Sequence, residues 1–183
     1  ILFCSTNKVY GDLLPIKDKI IEKEKRYDYK DIEGIDETYP LHSNCPYGGS
    51  KICAEMILDY YNSTYGIKTI KPRMSCIAGP RQFGTEDQGW VAWFTIRTLL
   101  NKQITIYGNG KQDRDVLYIT DLVNAYDLLI KNINKTNGEA FNLGGGPKNT
   151  ISLLELIELL EELTGKKSKI SFSSWRKGDQ RIY

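Results

Sequence analysis

Short solid apolar bursts alternate with longer stretches of helical period along this chain, a pattern that predicts an α/β protein. The first burst, Ile1-Leu2-Phe3-Cys4, runs into Ser5-Thr6 and reads as a buried strand with Thr6 at its carboxyl edge. From Ser50 to Tyr65, Ala54, Ile57, Leu58 and Tyr61 recur at helical spacing. This predicts an amphipathic helix with Lys51 in its first turn and those apolar positions facing a core or a partner subunit. Gln88 to Leu100 carries Trp90, Val91, Trp93, Phe94, Ile96, Leu99 and Leu100, a second helix with more apolar surface than one face requires. The clearest helix runs from Ile151 to Leu163: Ser152 and Glu155 have capping-box spacing, Leu153, Leu154, Ile157 and Leu160 form a stripe, and Gly165 ends it. Ile16 to Tyr39 is dense in charge with little sustained apolar period, which predicts an exposed insertion.

Composition narrows the function classes. The chain has 183 residues, 40% apolar and 26% charged, with a formal charge of +2. These values fit a globular protein with no nucleic-acid footprint. No apolar run approaches the ~20 residues that cross a bilayer, and no secretory signal is visible at the start, so a cytoplasmic location with no membrane partner is expected. Cys4, Cys45, Cys53 and Cys76 form no CxxC pair, and His42 is the only histidine, so free thiols and no metal site are expected. His42 reads as a surface or loop anchor. Cys76 reads as a small buried filler or a site-lining thiol.

Candidate chemistry begins at Tyr47 and Lys51. One helical turn separates them, so both project from one face. A phenol ordinarily titrates near ~10, and a neighbouring ammonium favours its phenolate, bringing Tyr47 closer to a useful general base. Such a spacing alone is common on helix surfaces, but other blocks accompany it. With Ser5-Thr6-x-x-Val9-Tyr10-Gly11 and Tyr47-x-x-x-Lys51, the chain resembles the extended short-chain dehydrogenase/reductase family, in its NAD-dependent epimerase/dehydratase branch. Thr69 to Arg81 resembles the family's next strand and cofactor-proximal loop. Ile104 to Gly110 followed by Arg114 to Leu122 resembles the hairpin and following strand of its substrate domain. Phe141-Asn142-Leu143-Gly144 and Trp175-Arg176-Lys177-Gly178-Asp179 match two further blocks.

The resemblance implies a Rossmann-like parallel sheet joined to a small mixed α/β substrate-binding domain. The first occupies about residues 1–80, with interleaved segments up to about 145, and the second mainly residues 81–183. It implies NAD as cofactor, contacted by Tyr47, Lys51, Met74 and Ser75. Tyr47 would take the hydroxyl proton from the sugar carbon that loses a hydride, Lys51 would hold the nicotinamide ribose, and Thr6 would hydrogen-bond the reacting oxygen. Arg114 and Arg176 would grip a nucleotide-sugar diphosphate through guanidinium forks, with Asp179 at a nucleotide ribose or in a turn or cap role, and Asn7 and Ser75 beside the sugar. Asn142 reads as structural, and the longer enzyme as a homo-oligomer. The glycine-rich turn that cradles a dinucleotide pyrophosphate is absent, and Gly144-Gly145-Gly146 reads instead as the loop entering the last helix. The chain is therefore expected to be the C-terminal portion of an enzyme longer by roughly a hundred residues.

The reaction is read from Asn7 and Lys8. Dehydratases of the family place an acidic pair immediately after the hydroxyl residue, and a lysine ammonium is a poor substitute, so epimerisation is favoured. Ser5 to Gly11, the insertion, and Arg81-Gln82-Phe83-Gly84-Thr85-Glu86-Asp87-Gln88-Gly89-Trp90-Val91 look closest to the CDP-paratose 2-epimerase subgroup. That likeness implies Gln82, Phe83, Gln88 and Trp90 around the sugar-nucleotide pocket, although Phe83 and Trp90 also read as core. A nucleotide-hexose 4-epimerase and a non-catalytic Rossmann-like binding module are the alternatives.

Overall fold

A computed structural model describes residues 1–183. Its strands and helices, in chain order, are β1 (Ser5–Thr6), β2 (Ile20–Glu22), β3 (Tyr27–Tyr29), α1 (Pro46–Tyr65), β4 (Lys71–Met74), β5 (Cys76–Ala78), α2 (Trp90–Leu99) and β6 (Gln103–Tyr107). β7 (Asp113–Tyr118), α3 (Ile119–Lys131), α4 (Ile133–Thr136), β8 (Ala140–Leu143), β9 (Thr150–Ser152), α5 (Leu153–Thr164) and β10 (Lys169–Ser173) complete it.

The sheet that positions the site is parallel, in the order β1-β4-β8. Its register sets Ser5 opposite Arg73 and Thr6 opposite Met74, while Met74 lies opposite Leu143. Thr6, Met74 and Leu143 therefore share the carboxyl edge, where open α/β sheets hold ligands. At Ser75 the chain leaves this sheet and enters β5 of a second one, β5-β7-β9. The predicted cofactor-proximal loop is thus largely a strand, with Ser75 as the crossing point. The apolar start of the chain is less enclosed than a buried strand would be: Leu2 and Phe3 are half-buried and Ile1 is exposed, because β1 is an edge strand here.

The expected hairpin between Ile104 and Leu122 does not form. β6 pairs in parallel with β10, and β7 pairs with β5 and β9. Gly108 and Gly110 take positive φ and turn the chain out of one sheet into the other. The strand also stops at Tyr118, and Ile119 to Leu122 opens α3.

Two apolar clusters form. Phe94, Ile104, Ile106, Leu156, Ile157 and Leu160 make one, between α2, α5 and β6, with Trp90, Val91 and Trp93 packed against it. α5 has the predicted capping box from Ser152 and Glu155, and Gly165 closes it in the left-handed region. The other cluster joins Val9, Tyr10 and Leu13 to Ile16, Tyr27 and Ile182. Ile16 and Tyr27 belong to the predicted exposed insertion, which is thereby corrected. Its charges face outward, but its sparse apolar residues are buried, and β2 and β3 form a hairpin. Sparse apolar spacing in an irregular segment carries no period, so the pattern conceals this burial.

Candidate active site

Helix α1 starts four residues earlier than the apolar period indicates. Cys45 caps it, its sulfur accepting the Gly48 N–H at 3.4 Å, and Pro46 occupies the first turn. Lys51 consequently lies in the second turn. Its predicted apolar stripe is also displaced: Ile57 and Tyr61 are exposed, and the fully buried helix positions are Gly48 and Glu55. Gly48 permits the close approach, since the Lys8 carbonyl and the Ser43 hydroxyl occupy the space a Cβ there would need. This contact brings the start of α1 against the turn that follows Thr6.

Tyr47 is 55% exposed, so its phenol is open to solvent. The Lys51 ammonium donates to the Cys4 carbonyl at 2.7 Å and lies 4.8 Å from the Phe3 ring centre and 5.8 Å from that of Tyr47. Thr6 is buried at the sheet edge; its hydroxyl accepts the Lys8 N–H at 3.3 Å and donates to Asn7 Oδ1 at 3.3 Å. Met74 receives the Tyr126 hydroxyl on its sulfur at 2.6 Å. The Ser75 hydroxyl donates to the Asp115 carbonyl.

Arg114 is buried. It donates to Asp179 Oδ1 at 2.8 Å and to the carbonyls of Gln180 and Asp113 at 2.7 and 2.8 Å. Asp179 also faces the Lys8 ammonium at 3.6 Å. Burial, with Arg114 adding repulsion, pulls Lys8 below the ordinary lysine value, while Asp179 opposes the shift. Lys8 thus joins the site through a carboxylate 171 positions away in sequence, a role that its likeness to the dehydratase acid position does not reveal.

Arg176 is more open. It lies 4.0 Å above the Tyr107 ring, donates to the Glu86 carbonyl at 3.0 Å and pairs with Asp87 at 3.1 Å. The 82–90 loop therefore reaches the same side as Arg176. Gln82 donates to the Ile77 carbonyl at 3.1 Å and keeps a buried, unpartnered Oε1. Gln88 is exposed and pairs its backbone with Thr85. Trp90 packs edge-on to Phe94 at 5.8 Å, the core arrangement. Phe83 is 87% exposed, so its core reading is overturned. Cys76 is partly buried, and burial pushes its thiol up. His42 is an exposed loop residue whose N–H donates to the Val9 carbonyl at 2.9 Å. Asn142 is structural, accepting the Tyr10 hydroxyl at 2.8 Å. A separate cavity of about 540 Å³ lies between Ala78, Val116, Leu117, Ile151 and Leu156 and contains none of these candidates.

Residues 1–144 match the NAD dependent epimerase/dehydratase family. The chain belongs to that family. Among curated members, it is 42% identical to CDP-paratose 2-epimerase of Salmonella typhi, over 100% of this chain and 55% of that protein. It is 32% identical to a dTDP-glucose 4,6-dehydratase of an Actinoplanes species, over 100% of this chain and 50% of the relative. Solved structures of epimerases share the fold. UDP-glucuronic acid 4-epimerase from Bacillus cereus, in complex with UDP-glucuronic acid and NAD, superposes with a TM-score of 0.79 at 26% identity, covering 99% of this chain and 50% of that one. UDP-glucose 4-epimerase from Thermotoga maritima, with UDP-glucose, gives 0.76 at 31% identity, covering 99% and 52%. The chain spans about half the length of the curated relatives it matches. No helix of this family member is long and apolar enough to cross a membrane.

Proposed function

We propose that the whole protein is an NAD-dependent nucleotide-sugar epimerase that interconverts CDP-paratose and CDP-tyvelose at C2. The observation that carries this reading is the 42% identity along the entire chain to a CDP-paratose 2-epimerase, together with Asn7 and Lys8 where an eliminating enzyme needs acids. The nicotinamide-ribose end of NAD is assigned to the carboxyl edge of the parallel sheet, where Thr6 lies opposite Met74 and the Lys51 ammonium is held on the Cys4 carbonyl. Bound NAD supplies reversible hydride acceptance at the sugar carbon.

This chain's own residues manage the proton and the charge. Tyr47 takes the hydroxyl proton from the sugar as the carbon loses its hydride and returns it when the hydride comes back to the other face. Lys51 lowers the cost of the phenolate and holds the ribose. The Thr6 hydroxyl turns from Asn7 to the reacting oxygen, where negative charge develops. Arg176, already stacked and solvent-facing, engages the diphosphate, and Arg114 does so from the Asp179 side. Gln82 and Gln88 border the sugar, with Phe83 projecting from the same loop and Trp90 anchoring that loop in the core. The apolar side chains that α1 leaves exposed, Met56, Ile57, Tyr60 and Tyr61, support a homo-oligomer.

NMR identification of the product formed by the whole protein from CDP-paratose tests the reading, with Tyr47→Phe as its control. Inversion at C2 is expected, with the variant slower by about 10²- to 10⁴-fold. Inversion at C4 alone, or a variant as fast as the parent, would overturn it.

A further inference from the structure

Of the twenty residues in α1, the two buried ones are Gly48 and Glu55, so the one charged side chain that the helix bearing Tyr47 and Lys51 buries is a carboxylate. Tyr47, Lys51 and Glu55 follow one another at four-residue steps, which keeps them on one side of the helix with a drift of about 40° per step. Glu55 is 2% exposed and fully engaged. Its Oε1 accepts the Ser5 hydroxyl at 2.5 Å, and the carboxylate accepts Arg73 through Nε, at 3.2 Å to each oxygen, and through one terminal nitrogen at 2.7 Å. Ser5 directly precedes Thr6, Arg73 directly precedes Met74, and the sheet register pairs Ser5 with Arg73. One buried carboxylate thereby ties the helix of the proposed base to both strand ends that carry the proposed substrate and cofactor contacts.

The network continues outward without a loose end. Arg73 donates also to the Tyr10 hydroxyl at 2.8 Å and to the Glu37 carbonyl at 3.3 Å, and the Tyr10 hydroxyl donates in turn to Asn142 Oδ1 at 2.8 Å. A buried ion pair is often no more stabilising than apolar side chains of equal volume, so stability alone does not explain this one. Directional hydrogen bonds do what apolar contact cannot: they fix the helix against sliding and rotation.

We propose that Glu55 is a positioning residue, which through Ser5 and Arg73 sets the placement of Tyr47 and Lys51 relative to Thr6. This rests on the reading of Tyr47 as the base. A displacement near 1 Å at a reacting group costs about 10²-fold in rate, so even partial loosening is measurable.

The test uses the whole protein and three variants, Ser5→Ala, Glu55→Gln and Tyr47→Phe, with each of the first two also combined with the third. Ser5→Ala removes one tie and leaves the ion pair intact, so it keeps the fold where Glu55→Gln disturbs it. Expected are a fall in kcat of roughly tenfold or more for Ser5→Ala, with KM and melting temperature nearly unchanged. Added to Tyr47→Phe, it should cause much less than its full separate loss, because most of its effect passes through the placement of Tyr47. If Ser5→Ala and Glu55→Gln keep the parent kcat, or if their losses multiply in full onto Tyr47→Phe, the inference is overturned while the reading of Tyr47 stands. A parent that turns over no nucleotide sugar, or a Tyr47→Phe variant as active as the parent, overturns both.

Discussion

Two backbone N–H groups, from Gly145 at 2.5 Å and Gly146 at 3.1 Å, point at one carboxylate oxygen of Asp115, yet burial outweighs them and pushes this group up to about 6. The folded state then holds the proton more tightly than the unfolded chain, where the ordinary value is 3.8. The stability contributed by this proton is fully present below that unfolded value and is lost as pH rises through about 6. Asp115→Asn keeps an acceptor for both N–H groups and removes the titration. Between pH 4 and 7, the melting temperature of the variant is expected to gain on that of the parent, and parallel curves would refute the assignment. At this scale, the placement of Thr6 at a strand end and of Tyr47 and Lys51 on one helix was legible because it lies in local spacing. Glu55, Arg73 and Lys8 were not, since their partners lie 18 to 171 positions away and only folding pairs them.

Among the elements, the insertion between Thr6 and Tyr47 departs most from its pattern. Its charges are solvated, but Ile16 and Tyr27 enter the cluster of Val9, Tyr10 and Leu13, and Arg26 pairs with buried Asp113 at 2.5 Å. Ile16→Ala should therefore cost about 2–5 kcal/mol in a denaturant melt, as for other buried large-to-small changes. The exposed neighbour change Lys17→Ala should stay within about 0.5 kcal/mol. Equal, small effects would return the insertion to the surface. Helix α5 was read from the sequence nearly whole, cap and stop included, because one apolar face and two local capping signals agree. The strand following Gly110 was misassigned in its pairing, since a strand's own residues specify its pleat but not which of several sheets receives it.

For the whole molecule, the carboxyl edge of the parallel sheet is linked to the segment bearing Arg114 and Asp179 through Lys8, while no glycine-rich pyrophosphate turn occurs within these 183 residues. Residues 1–183 alone are accordingly expected to show no detectable epimerase turnover with NAD and CDP-paratose, measured by product NMR. Robust turnover would show that the pyrophosphate cradle is dispensable. By itself the sequence determined the class of fold, the family, and the cap and stop of α5, and it carried the proposal of the catalytic pair, all of which depend on neighbours a few positions apart. Only the tertiary structure decided which strands share a sheet, that the charged insertion is anchored in a core, and that the Tyr47 helix is held by Glu55. Those outcomes depend on desolvated contacts between distant residues, whose energies exist only once the chain has closed around them.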